Sequence, residues 1–342
     1  MSLEEKIKGV LGCTAIGDAM GSATENLTFD QIREMFQGPL TELVKPGETA
    51  FALGNEAGEI TDDFSQVYFI VKEVLKNGGV LDREAVIRAI VAWSKISRWF
   101  DRFAGPTTRT AIAMYQDPSL EMKPLPGAVT VDYASKATNG AAMKIAPAAI
   151  LNPGNIEGAI HDAVTIAKVT HDNSLAISGA CAAAAASAAG FAENAAMEEI
   201  LAAGMYGAIR GENIGKKQSR DVAGPSVVER IKLAFEIAGG AGTKEEKLRK
   251  LSSVVGSGLH ISEAIPCAFG IAALNPKDPL QAVFDAVNIG YDTDTIAAIV
   301  GTMVGALVNT KEERFLRLYK KVQDANQMDI DQLSKELVRV IK

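Results

Sequence analysis

Cysteine, histidine and aromatic residues are scarce in this sequence. Its 342 residues include three cysteines and three histidines, and aromatic side chains make up 6%. Cys13, Cys181 and Cys267 lie far apart among apolar or small neighbours. This pattern indicates neither a disulfide framework nor a thiolate metal site. We therefore expect three buried free thiols, as is usual for intracellular proteins.

A basic face, a signal-type N-terminal pattern and a membrane-spanning run are not expected from the sequence either. Its 35 basic residues are dispersed and the net charge is −7, so no nucleic-acid partner is expected. The N-terminus is acidic, with no apolar signal-type stretch behind it, which predicts a cytoplasmic location. The apolar run 176–192 is mostly Ala, Ser and Gly and falls short of the roughly 20 residues of a membrane helix, so no membrane association is expected.

Runs of alternating β-branched residues are nearly absent, whereas apolar spacings of three and four are common, which predicts an all-α fold. Several predicted helices are apolar on more than one face, which indicates central helices surrounded by others in a compact multi-helix globule. No Pro/Ser-rich tract divides the chain, so we predict one domain over 1–342. The predicted helices are 62–76, 82–97, 141–151, 155–169, 174–192, 227–238 and 293–308, with outer amphipathic helices near 244–251, 311–323 and 331–342.

Two short clusters combine carboxylates with hydroxyls immediately before predicted helices. The first is Thr61-Asp62-Asp63 and the second is Asp292-Thr293-Asp294-Thr295. Helix capping accounts for some of these residues, since Thr and Asp are favoured at helix N-termini. It does not readily explain four carboxylates at the heads of two apolar helices, where unpaired charge is costly. A metal pair removes that cost, and oxygen-only ligands favour Mg²⁺, Mn²⁺ or Ca²⁺ over zinc.

Five motif segments follow one another along almost the whole chain. They are Gly12-Cys13-Thr14-Ala15-Ile16-Gly17-Asp18-Ala19-Met20-Gly21-Ser22-Ala23-Thr24-Glu25, Thr61-Asp62-Asp63, Asn139-Gly140-Ala141-Ala142-Met143-Lys144-Ile145-Ala146-Pro147, Thr170-His171 and Asp292-Thr293-Asp294-Thr295. In this order they resemble the motifs of the ADP-ribosylglycohydrolase family. The paired acidic elements near the two ends form the specific part of the resemblance, and the Gly-Asp-Ala-x-Gly element alone would be weak.

The resemblance implies an orthogonal all-α fold with a binuclear metal centre of two Mg²⁺ or Mn²⁺ ions. Ribose hydroxyls of the substrate would approach these ions. Family members cleave the bond between ADP-ribose and an acceptor, which is a protein side chain or a small molecule. The implied metal ligands are Thr61, Asp62, Asp63, Asp292, Asp294 and Thr295.

The resemblance also suggests catalytic and substrate-binding residues. Asp62, Asp63 and Asp292 are expected to be catalytic through the metals. Glu25 ends the first family motif and is a candidate acid/base, with a solvated or capping carboxylate as the alternative. Asp18 is predicted to act at the substrate site, either directly or by organising the metal loops, and a buried structural hydrogen bond is an equal alternative.

Four further residues are predicted to bind substrate. Asn139 and Gly140 match the family's Asn-Gly loop, whose N–H groups could hold a phosphate or ribose, although an ordinary helix-entry turn also fits. His171 resembles a family pocket position, against the commoner structural or exposed histidine. Tyr291 is expected to pack on a ribose or base, or to fill space between helices.

The chain departs from the family pattern at three places. Phe64 stands where many members have Thr after the Thr-Asp-Asp element, and Tyr291 replaces a common Gly. The segment 105–109 resembles the family's Gly-Asn-Thr-Thr-Arg element, but Phe103 occupies a place that is Asp in the dinitrogen-reductase-activating branch. Asp101 is the nearby carboxylate that could serve through a shifted loop, so the identity of the general base is open.

Three functions follow from these observations. The leading prediction is a Mg²⁺- or Mn²⁺-dependent glycoside hydrolase acting on ADP-ribosylated protein or a small-molecule riboside. The second is a hydrolase of a smaller riboside or nucleoside, suggested by the aromatic replacements. The third is an inactive binding or structural member, which the retention of both metal motifs disfavours.

Overall fold

The computed structural model describes residues 1–48, 50–120 and 134–341, and within these ranges it contains α-helices and no β-strand. The predicted all-α fold is confirmed. The helices are α1 (Leu3–Gly21), α2 (Phe29–Met35), α3 (Asp62–Lys76), α4 (Arg83–Trp93), α5 (Ser97–Phe103), α6 (Pro106–Gln116), α7 (Ala146–Ile150), α8 (Ile156–Thr170), α9 (Ser174–Ala189), α10 (Met197–Gln218), α11 (Val227–Gly239), α12 (Lys244–Lys250), α13 (Ile261–Ala273), α14 (Pro279–Val287), α15 (Thr293–Val304), α16 (Glu313–Asn326) and α17 (Ile330–Val340).

Predicted helix boundaries differ from the observed ones mainly where the chain turns without a strong local signal. The helix 62–76 is confirmed at both ends as α3. The predicted helix 82–97 is too long, because α4 ends at Trp93 and Ser97 already begins α5. The predicted helix 141–151 starts too early, because a 3₁₀ turn over Asn139–Ala141 precedes α7. Both differences arise where one continuous apolar pattern spans a change of chain direction.

The core is built around helices that other helices enclose. Ser174–Ala189 (α9) is buried along nearly its whole length and packs against α8 and α10. The N-terminal α1 packs along α15, so helices far apart in the sequence meet in the core. α16 and α17 each bury one face, as predicted for outer amphipathic helices. The enclosed central helices are therefore confirmed, whereas the single domain over 1–342 stays a prediction.

Glycines allow α1 and α15 to cross at backbone contact. A Cβ added to Gly17 would overlap the carbonyl oxygen of Ala297, and one added to Gly21 would overlap the backbone of Asp294. Gly301 on α15 lies equally close to the Cys13 carbonyl. This close crossing brings Asp18 on α1 next to Asp294 on α15.

We expect Gly17→Ala to destabilise the protein by about 3 kcal/mol, at the upper end of the usual cost of overpacking a core. The added methyl group has a backbone oxygen, not a flexible side chain, in its way. Chemical denaturation measures the free energy of unfolding. Gly239→Ala is the control, because nothing lies within 4 Å of its added Cβ, and its unfolding free energy should change little. Equal stability of the two variants would contradict backbone contact at the α1–α15 crossing.

Two predictions about local features can also be compared with the structure. The three cysteines are free and buried, as expected. Among the described residues, no helix has both the length and the apolar character to span a bilayer.

Candidate metal-binding active site

The two acidic clusters of the sequence meet at the N-termini of α3 and α15. Asp18, Asp63 and Asp294 each offer one oxygen atom, and these atoms lie within 4.8 Å of one another. Oxygens of Glu25, Asp292 and Asp294 form a second group within the same limit. Asp294 belongs to both groups, so the carboxylates form one continuous acidic cluster.

Asp18 supplies the hydrogen bonds that fix the start of α3. Its carboxylate accepts the Thr61 N–H at 2.9 Å, the Thr61 hydroxyl at 2.8 Å and the Phe64 N–H at 2.9 Å. The side chain is fully buried and does not line the cavity, so direct substrate binding by Asp18 does not fit the structure. Asp18 instead holds the segment 61–64 through these hydrogen bonds.

At the start of α3, Asp18 and the Thr61 hydroxyl accept the first N–H groups of the helix, so Asp62 and Asp63 are not needed as caps there. Asp292 makes no side-chain capping bond to α15. The Thr61 hydroxyl lies 3.3 Å from Asp63 Oδ2 and 3.5 Å from Asp294 Oδ2, beside the junction of the two clusters. Asp63 Oδ1 is buried without a hydrogen-bond partner among the described residues. A buried carboxylate oxygen normally has a partner, so the residues here fit a site that could bind a cation.

A cavity of about 330 Å³ opens above the acidic cluster. Its walls combine acidic and polar groups with several apolar side chains. Of the residues predicted for the site, those lining the cavity are Glu25, Asp62, Asp63, Asn139, Gly140, His171, Asp292, Asp294 and Thr295. Thr61, Asp18 and Tyr291 do not line it.

Burial and mutual repulsion raise the pKa values of the clustered carboxyl groups. Burial is the largest cause at each, followed by neighbouring carboxylates. The pKa of Glu25 rises to about 11, and those of Asp62 and Asp294 rise to about 7. The pKa values of Asp63 and Asp292 also lie well above their usual range. Without a cation the cluster therefore holds protons at neutral pH, and a divalent ion would replace them.

Glu25 is buried, with 8% of its surface exposed, and it faces Asp292 and Asp294 across the cluster. The alternative interpretation of Glu25 as a solvated or capping carboxylate is therefore wrong.

Lys144 is a buried cation beside the acidic cluster. It was not predicted as a site residue. It is fully buried and its Nζ donates to the Gly140 carbonyl. Burial lowers the Lys144 pKa to about 8, and the charges of Asp62 and Asp63 partly oppose that shift. A lysine inside the otherwise apolar run 141–150 was the available signal, because such a residue is rarely buried without a charged neighbour.

The Asn139-Gly140 turn connects the acidic cluster to His171. The Asn139 side chain donates to Asp292, and its backbone N–H donates to the Leu259 carbonyl at 2.8 Å. A Cβ on Gly140 would lie 3.0 Å from the His171 ring, so glycine allows the close approach. Burial lowers the His171 pKa well below its usual value, which leaves the ring neutral at pH 7. Its nitrogens lie 2.7 Å and 2.8 Å from the Thr170 and Thr138 hydroxyls.

Tyr291 lies outside the cavity, contrary to its predicted contact with substrate there. Its ring packs on Gly258 and lines a separate groove that includes Gly256 and Glu263. About half of the residue is exposed, so it does not fill space between helices either. Its φ of +67° is unusual for a bulky residue and occurs immediately before Asp292.

Asp101 is exposed, accepts the Ser97 hydroxyl and does not line the cavity, so the shifted-loop hypothesis for this carboxylate is wrong. Phe103 does line the cavity. Its wall also includes Phe51 and Arg102, neither of which has a sequence motif.

Metal binding should become more stabilising as the pH rises from about 5 to about 8, because protons compete with a cation for the carboxylates. The folded pKa values near 7 of Asp62 and Asp294 exceed the ordinary value of about 4, so metal-free stability from these groups is present at low pH and is lost as the pH rises through 7. The stabilisation by metal is measured at each pH as the increase in Tm on adding Mn²⁺ to EDTA-treated protein. Asp294→Asn should show a smaller increase, and an increase independent of pH in the unmodified protein would contradict the prediction.

Comparisons with known proteins agree with this architecture. The sequence profile of the ADP-ribosylglycohydrolase family matches residues 1–342. The chain is 27% identical to the uncharacterised protein YegU of Escherichia coli K12, over 98% of this chain and 97% of that protein. It is 26% identical to the ADP-ribosylarginine hydrolase Tri1 of Pseudomonas putida GB-1, over 89% of this chain and 70% of that protein.

A solved structure described as an ADP-ribosylglycohydrolase-related protein complex has the same fold. It aligns with a TM-score of 0.67 at 20% identity, over 99% of both chains. The profile match over the whole chain, together with this all-α fold, shows that the protein belongs to the ADP-ribosylglycohydrolase family.

Proposed function

We propose that this protein is a metal-dependent hydrolase that cleaves the glycosidic bond between ADP-ribose and an acceptor, either a protein side chain or a small molecule. One observation carries the proposal. Carboxylates of α1, α3 and α15, together with those of Glu25 after α1 and Asp292 before α15, converge under one cavity, and buried Asp63 Oδ1 has no hydrogen-bond partner among the described residues. A cation at this position would remove both the repulsion and the unpaired atom.

The proposed metal ligands come from two helix starts and offer oxygen atoms only. Oxygen donors suit Mg²⁺ or Mn²⁺, and the number of proposed ligands is sufficient for two ions. When bound, the ions would polarise a water molecule and orient the ribose hydroxyls. The proposed ligands are Thr61, Asp62, Asp63, Asp292, Asp294 and Thr295.

Glu25 is the proposed acid/base. Hydrolysis places the hydroxyl of water on the anomeric carbon and a proton on the departing acceptor atom, so a proton carrier is required at the cavity. Glu25 lines the cavity, and its raised pKa favours the protonated form. Asn139 holds Asp292 through its side-chain amide, which orients that carboxylate. Gly140 and His171, which line the same wall, are proposed to contact the substrate.

A substrate panel tests the proposal. The P. putida relative is called an ADP-ribosylarginine hydrolase, so ADP-ribosyl-arginine is the first substrate, followed by ADP-ribosyl-serine and plain nucleosides. Each is incubated with Mg²⁺, Mn²⁺ or EDTA, and released ADP-ribose or ribose is measured by chromatography. We expect release of ADP-ribose that EDTA abolishes. Release that is unaffected by EDTA would contradict the proposed role of the metal. The absence of ADP-ribose release would contradict the proposed class of substrate.

A second candidate function, hydrolysis of a smaller riboside, is favoured by the apolar part of the wall. Phe51, Phe103, Met143 and Leu259 line a cavity of about 330 Å³. Such surfaces suit a nucleobase. Cleavage of nucleosides without cleavage of ADP-ribosyl substrates would select this candidate. If calorimetry detects no metal binding, the chain would instead belong with inactive family members.

A further inference from the structure

Tyr291 combines an unfavourable backbone conformation with a half-exposed side chain. Its φ is +67°, a region that a bulky residue enters at a cost in free energy, and 51% of the residue is exposed. Its backbone is held on both sides. The Tyr291 N–H donates to the Leu27 carbonyl at 2.9 Å, and the Asn26 N–H donates to the Tyr291 carbonyl at 2.8 Å. A strained residue that its surroundings fix in this way indicates a functional constraint at that position.

The segment 257–259 connects Asp292 to Asn139 through two of its carbonyl groups. The Asp292 N–H donates to the Ser257 carbonyl at 3.0 Å, and the Asn139 N–H donates to the Leu259 carbonyl at 2.8 Å. The Asn139 side-chain amide also donates to the Asp292 carboxylate. These hydrogen bonds close a loop from the Asp292 backbone, through 257–259 and Asn139, to the Asp292 side chain. The orientation of the Asp292 carboxylate therefore depends on where this segment lies.

The Tyr291 ring lies against Gly258, the middle residue of the segment. A Cβ added to Gly258 would lie 2.4 Å from Cε1 and 2.8 Å from Cδ1 of the ring, so the ring contacts the backbone of the segment directly. The Gly258 N–H also donates to Glu263 Oε2 at 3.2 Å. The aromatic contact and this hydrogen bond together restrict the movement of 257–259.

We propose that Tyr291 is a positioning residue for Asp292. Its ring holds the segment 257–259 in place, and that segment holds Asp292 and Asn139 in the arrangement that a divalent cation requires. The inference rests on the proposed function, since Asp292 is a proposed metal ligand. Groups that hold a ligand in its binding orientation strengthen metal binding without touching the ion. Glycine would adopt the left-handed conformation freely, but it has no ring to place on Gly258.

Tyr291→Gly separates the effect of the ring from that of the backbone. Glycine adopts a φ of +67° without strain, which should offset the lost ring packing, so the Tm in EDTA should change little. The Mn²⁺ Kd, measured by calorimetry, should nevertheless increase about tenfold, the lower end of the usual effect of residues that support metal ligands. Tyr291→Phe keeps the ring and should retain the affinity of the unmodified protein. Tyr206→Ala is the matched control, since this tyrosine is exposed on α10 and lies outside the cavity wall.

Gly258→Ala tests the same contact from its other partner. The added methyl group would displace the Tyr291 ring, so this variant should also weaken Mn²⁺ binding. Combined with Tyr291→Gly, it should weaken binding by less than the product of the two single effects, because both changes remove one contact. Independent effects of the two changes, or an unchanged Mn²⁺ Kd in Tyr291→Gly, would overturn the proposal.

Hydrogen–deuterium exchange in EDTA tests the position of the segment without metal. The amides of Asn139 and Asp292 should exchange faster in Tyr291→Gly than in the unmodified protein, because their hydrogen bonds to 257–259 would open more often. Unchanged exchange would overturn the role of the ring. The absence of Mn²⁺ binding by the unmodified protein would instead overturn the proposed function, and faster exchange in the variant would still support the contact between Tyr291 and 257–259.

Discussion

Replacing Asp62 by asparagine should lower kcat/KM for the ADP-ribosyl substrate by about a thousandfold or more, since a metal ion supplies several kcal/mol of transition-state stabilisation. Asp62 starts α3 and lines the cavity, where its carboxylate accepts a 3.4 Å hydrogen bond from Gln66. Asparagine has nearly the same shape but lacks the negative charge that a divalent ion requires. The measurement is initial-rate kinetics with saturating Mn²⁺.

The same variant should keep its fold. Its Tm in EDTA should stay the same or rise, because neighbouring carboxylates, including Asp18 and Asp292, repel the Asp62 charge. Its gain in Tm from Mn²⁺ should shrink, since ligand stabilisation follows binding affinity. Asp101→Asn is the matched control, as Asp101 is exposed and lies outside the cavity wall. Full activity of Asp62→Asn would show that Asp62 is not a required metal ligand.

The sequence predicts the features that depend on local chemistry. The helix 62–76 is predicted at both ends because polar N-terminal residues, an apolar spacing and Gly78-Gly79 beyond its end all agree. The two acidic motifs are recognisable because each is compact in sequence. Their convergence under one cavity follows from the resemblance, and the α1–α15 crossing supplies its physical basis in this chain.

Features that depend on tertiary contacts could not be predicted in this way. The role of Asp18 depends on α3 starting beside α1, 43 residues later in the chain. Tyr291 follows the family motif in sequence, but a left-handed backbone directs its ring to another groove. Arg102 has no motif, and its position is set by the distant turn at Leu53 and Asn55. In each case the partner lies far along the chain, where spacing and periodicity carry no information.

Glu25→Gln should separate proton transfer from metal binding. Glutamine keeps the shape of the side chain and one oxygen but cannot exchange a proton, so kcat should fall by about 10²- to 10⁴-fold, the usual contribution of general acid–base catalysis. Metal affinity should change little if the ligands are the carboxylates of α3 and α15. Kinetics gives kcat, and calorimetry with Mn²⁺ gives the metal Kd.

The control for this variant is Glu34→Gln, an exposed change on α2 that should leave both quantities unaffected. The pH profile gives a further distinction. Burial and the charges of Asp294 and Asp292 keep the Glu25 pKa high, and a bound cation would lower it towards the working range. A proton carrier should therefore produce a limb in the kcat profile that disappears in Glu25→Gln. Loss of Mn²⁺ binding with an unchanged limb would make Glu25 a metal ligand, and the acid/base would then have to be another group at the cavity.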